Sequence, residues 1–159
     1  GDKVIIVKYT SAPADTFRIA FETERTQSIY FTGTKSGSRQ ITSLTERYTW
    51  QAKNSKDGAP LYPADTASVL FFNGASDAGS VNITIKGGSL DTTLAKAAVY
   101  GGNLPFFKLK AGSYTFTFTN ATKDTLSTLS NAVVSSSNRY NAAIFGVKGN
   151  YQSKLFTDD

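Results

Sequence analysis

Along most of the chain, apolar and polar residues alternate with a period of two, the spacing of a strand with one face buried and one face wet. Phe17, Ile19 and Phe21 point one way while Arg18, Ala20 and Glu22 point the other. Val81, Ile83 and Ile85 alternate with Asn82, Thr84 and Lys86, and Tyr114, Phe116 and Phe118 alternate with Thr115, Thr117 and Thr119. Threonine on the polar side is itself β-branched and suits a solvated sheet face. The remaining predicted strands are 4–9, 28–32, 48–52, 69–73, 106–109, 139–147 and 151–156. About ten short strands at this spacing predict an all-β sandwich or barrel.

Turn residues fall between the runs. Gly33 to Gly37, Lys86-Gly87-Gly88-Ser89, Ala111-Gly112-Ser113 and Lys148-Gly149-Asn150 supply positions that tolerate positive φ, and the last predicts a tight hairpin between 139–147 and 151–156. Helix-like composition is confined to 91–99, with Leu94, Ala95, Ala97 and Ala98, enough for one short turn. The stretch 54–65 carries two of the four prolines and no alternation, so it reads as a long loop dividing the chain near residue 66. The runs that open at Val4 and Val69 echo one another faintly, as a duplication would. About 60 residues are few for a self-sufficient sandwich. The large apolar residues Val4, Ile5, Ile6, Val7, Phe17, Ile19, Phe21, Ile29, Phe31 and Trp50 are therefore expected to be sealed against the second part.

Composition narrows the chemistry. The 159 residues include 20 Thr and 17 Ser but no His, Cys or Met, which removes Ser-His-Asp and Cys-His catalysis, His/Cys zinc sites, haem, iron–sulfur clusters and disulfides. No metal or redox cofactor is expected. The net charge of +5 is spread evenly, without the basic stripe that nucleic acid requires, so no nucleic-acid partner is expected. No run of 18 apolar residues occurs. A chain that opens Gly1-Asp2-Lys3 without Met reads as one trimmed behind a secretion leader, and the absence of Cys fits a bacterial envelope protein.

Candidate binding residues are few. Asn73, Ser76 and Asp77 place three oxygen-bearing side chains within five residues, suited to a sugar or a Ca²⁺ ion, and equally to holding their own turn. Tyr62, Tyr100, Tyr140 and Tyr151 fall near loops or strand ends, where a ring stacks on a sugar or fills a partner's pocket, or where its hydroxyl pins a corner. Carboxylates are sparse, and Glu22 and Glu24 share one strand face rather than opposing one another across a cleft. No Ser-x-x-Lys, Gly-x-Ser-x-Gly or phosphate-binding glycine loop occurs. No catalytic residue is assigned.

Several of these segments together resemble a known family. The run from Ala67 to Ala78 with Asn73-Gly74-Ala75-Ser76-Asp77 at its end, the strand Val81 to Ile85, Tyr100, Leu109-Lys110-Ala111-Gly112-Ser113-Tyr114-Thr115, Tyr140-Asn141-Ala142-Ala143-Ile144-Phe145-Gly146 and the acidic end Asp158-Asp159 resemble the bacterial envelope domain family DUF4397. Gly74 and the lack of Pro between Ser76 and Asp77 depart from the family's usual Asn-Ala-Ser-Pro-Asp-Ala loop. The resemblance covers 67–159 and implies an immunoglobulin-like antiparallel β-sandwich on an exported, often lipid-anchored protein, with no biochemical activity attached. Residues 1–66 lie outside it, as an N-terminal β region packed on the sandwich.

The expected function is that of a non-enzymatic cell-surface module binding a protein or glycan through loops or a sheet face, touching the membrane only through a lipid anchor. A carboxylate-dependent carbohydrate hydrolase and a structural spacer or subunit of a surface assembly are the alternatives.

Overall fold

The structure is a computed structural model that describes residues 2–8, 10, 13–21, 26–33, 39–46, 65–88, 90–94 and 96–158. Its order is β1 (Asp2–Val7), β2 (Asp15–Ala20), β3 (Thr26–Thr32), β4 (Gln40–Glu46), β5 (Thr66–Ala75), β6 (Asn82–Gly87), β7 (Leu90–Thr93), β8 (Asn103–Lys110), β9 (Gly112–Thr119), β10 (Thr125–Val134), β11 (Arg139–Gly146) and β12 (Gln152–Asp158). There is no helix among the described residues.

Two four-stranded sheets, β10-β9-β6-β7 and β12-β11-β5-β8, form a β-sandwich. Val69 and Phe71 from one sheet meet Ile83, Ile85, Phe116 and Phe118 from the other, all essentially without exposed surface. Phe71 and Phe116 pack edge to face with centroids 5.5 Å apart. The inward and outward residues of β6 and β9 are those the alternation assigns, because a period of two leaves each strand only one way to bury its apolar side. Along one side the sheets meet at β10 and β12, where Ser127 Oγ and Ser153 Oγ lie 2.8 Å apart.

The expected antiparallel β-sandwich is the fold observed, with one parallel pairing at its centre, where β5 and β11 set Val69 beside Tyr140 and Phe71 beside Ala142. Parallel strands are characteristically covered on both faces, and these two are buried almost throughout. The second cover comes from the first part of the chain. Leu70, Phe72 and Ala143 face away from the main core into a smaller cluster completed by Tyr30 of β3 and by Phe145. Tyr30 stacks on Phe72 with centroids 4.2 Å apart and planes 19° from parallel. Thr42 Oγ1 donates to the Gly101 carbonyl, Tyr100 donates to Thr32 Oγ1, and Asn141 Nδ2 donates to Ser28 Oγ. Gly74 allows this approach, since a Cβ there would sit 3.0 Å from the Thr32 methyl.

The β1-β2 hairpin is less enclosed. Phe17 meets Phe31 edge to face and Gln27 Nε2 donates to the Ala20 carbonyl. Ile19 is buried and Ile5, Val7, Phe17, Phe21 and Ile29 are half-buried, but Val4, Ile6 and Phe31 are 55, 59 and 48% exposed. The contacts described for the hairpin are with β3 of the first part, and they cover one of its faces, so they do not show the expected sealing of these residues against the second part. Trp50, the predicted strand at 48–52 and the 54–64 stretch lie outside the described residues.

The expected helical turn at 91–99 is corrected. Leu90–Thr93 pairs with β6, the Leu94 N–H donates to the Ile83 carbonyl, and Ala98 and Val81 exchange two backbone hydrogen bonds. Pairing to an existing strand claims the backbone groups a helix would need, overriding alanine's propensity. The echoing runs at Val4 and Val69 occupy unlike places: β1 belongs to a two-stranded ribbon and β5 to the middle of a four-stranded sheet.

Candidate functional site

Asn73 lies near the end of β5, buried with Gly74 and Ala75 after it, and is a fastener of the fold. Its Nδ2 donates to the Gly79 and Ala98 carbonyls at 2.9 and 3.0 Å, and its Oδ1 accepts the Ala75 N–H at 3.0 Å. With 1% of its surface exposed, its amide is committed to shaping the turn at 76–80. Ser76 enters that turn half-buried, and Asp77 projects from it, exposed. Asp77 accepts the Lys148 N–H at 2.9 Å through one carboxylate oxygen and the Tyr151 hydroxyl at 2.8 Å through the other. The Lys148 bond, supported by the Tyr151 bond, holds the Asp77 carboxyl below the usual carboxylate range despite some desolvation. Desolvation, and then the carboxylate beside it, push the Tyr151 phenol up to about 12. The structure thus brings two candidates, Asp77 and Tyr151, together and places Asn73 beneath them as their support.

The other tyrosines sit apart. The Tyr140 hydroxyl, buried in the core, accepts the Ser135 N–H at 2.9 Å and Asn138 Nδ2 at 3.4 Å, pinning the corner that leads into β11. Burial raises its phenol, but these bonds outweigh it and leave the group below its ordinary value. Tyr100 ties the 98–102 turn to β3. Tyr62 lies outside the described residues. A further polar knot at 120–124 has no counterpart among the expected sites: Asn120 and Thr122 both donate to the Asp124 carboxylate, whose N–H returns a bond to Asn120 Oδ1. The sequence signal was there in Asn120, Thr122 and Asp124, three residues whose side chains bond local backbone.

The carboxylates with described side chains are all engaged. Asp15 pairs with Arg39 at 2.9 Å, Asp91 with Lys86 at 3.3 Å and Asp65 with Lys110 at 3.9 Å, while Asp77 and Asp124 hold turns. Among the described residues no group of three His, Cys, Asp or Glu is placed to hold a metal ion, and Glu22 and Glu24 lie outside them. No described helix is long and apolar enough to cross a membrane.

The feature not foreseen is the outward face of the first hairpin. Val4 and Ile6 stand two residues apart on the same side of β1, and across from them on β2 are Arg18 and Thr16. All four are exposed, as are Lys8 and Ala20. Its signal was the unbroken run Val4-Ile5-Ile6-Val7, because a strand that is apolar at successive positions has an apolar residue on each face.

A sequence model described as "Domain of unknown function (DUF4397)" matches residues 67–159, more than half of the chain. The chain belongs to the DUF4397 family. No curated protein matches it. The matched DUF4397 region opens one residue after β5 begins and contains both four-stranded sheets, so the family match and the sandwich coincide. Asn73, Asp77, Tyr100, Tyr140 and Tyr151 all fall in the DUF4397 domain, and each spends its polar group on a turn or on β3. The exposed aliphatic face precedes the DUF4397 domain in the chain.

Proposed function

We propose that the chain is a non-catalytic module, exported to the bacterial cell envelope, that binds a protein through the outward face of β1 and β2. The observation that carries this reading is the pairing of Val4 and Ile6, more than half exposed on one face of a sheet. Contiguous apolar surface left open on a folded chain marks interaction sites. The described residues of this face include no aromatic ring to stack on a sugar, which favours protein over glycan. The engaged carboxylates support a role without catalysis, and the likeness to envelope proteins of the DUF4397 family supports the location.

Assembly through open sheet edges is less favoured. β8, which forms one edge of its sheet, carries Pro105, a register shift and the exposed Lys108 and Lys110, all devices that discourage strand addition. The test is to incubate the purified chain with solubilised envelope proteins and with a panel of polysaccharides, scoring both retention and product release. Retention of a protein, lost in the double variant Val4→Ser/Ile6→Ser, is the expected result. Release of sugar products, or protein retention indifferent to the double variant, overturns the reading.

A further inference from the structure

No further inference is drawn: the strongest candidate, the exposed aliphatic face of β1 and β2 around Val4 and Ile6, belongs to the surface already described, and nothing in the structure shows what covers it.

Discussion

The hydroxyl of Tyr151 donates to Asp77 at 2.8 Å, and the same carboxylate accepts the Lys148 N–H at 2.9 Å. One side chain from the turn after β5 thereby fixes the hairpin turn between β11 and β12. The first strand of the DUF4397 domain is latched to its last two at the same end of the sandwich.

Alkali should open this latch. A phenol whose folded pKa lies above its unfolded value stabilises the fold fully below the unfolded value, about 10, and the stabilisation is lost as pH rises through the folded value. For Tyr151 the window runs from about 10 to about 12. Absorbance titration of the phenolate should show one late-titrating tyrosine fewer in Tyr151→Phe than in the parent. Tyr114, which burial also raises, remains late in both, and Tyr140 titrates early. A variant that lacks an ordinary phenolate step near pH 10 and keeps every late one would rule the latch out.

Acid should act on the other partner with the opposite sign. The Asp77 carboxyl is depressed on folding, so its contribution is present above the unfolded value, about 4, and is lost as pH falls through the lower folded value. Asp77→Asn should melt at a lower temperature than the parent at pH 7 and show a flatter decline below pH 4. A residual decline is expected from Asp124, which Thr122 and Asn120 also hold low.

Among the described residues, the Tyr30–Phe72 stack joins the first part of the chain to the sandwich. A double-mutant cycle with Tyr30→Ala and Phe72→Ala should give a coupling of about 0.5–1.5 kcal/mol, the usual range for aromatic pairs. The parent should melt in one transition. Two resolved transitions with no coupling would show the first part to be independent.

Gly146 has φ of 98°, and a Cβ there would be driven into the Asn150 carbonyl oxygen; at Gly149, with φ of 85°, a Cβ would meet nothing. Gly149→Ala should cost about 1 kcal/mol for the left-handed backbone alone. Gly146→Ala should cost more, about 2–3 kcal/mol, or roughly 4–12 °C in melting temperature. Equal losses at the two positions would mean that the hairpin turn relaxes freely around Asn150.

The all-β class was legible because alternation is a local signal. Phe116 and Thr117 occupy opposite faces whatever strand lies beside them. The C-terminal hairpin was legible in the same way from Lys148-Gly149-Asn150. β10 was not, since register shifts between Thr125 and Ser127 and between Leu129 and Ala132, with Asn131 at φ 55°, reset its period. Its half-buried Leu126 and Leu129 are three residues apart, as are Leu129 and Ala132, a spacing no regular strand shows. The parallel centre was hidden because register between β5 and β11 is a property of two distant segments. The roles of Asn73 and Asp77 were half legible. Their residue types announce a turn, but which backbone groups they hold depends on Ala98 and Lys148, which only the folded chain brings near.

The parallel seam of Val69 beside Tyr140 and Phe71 beside Ala142 also dictates an order of events. β5 is the first strand of the sandwich to be made and β11 the last but one, so its central neighbour is missing until almost the whole chain exists. Contacts this remote in sequence form slowly. A chain synthesised from the N-terminus onward therefore stays without its finished core until its end is made, and truncation before Arg139 leaves β5 with β8 alone.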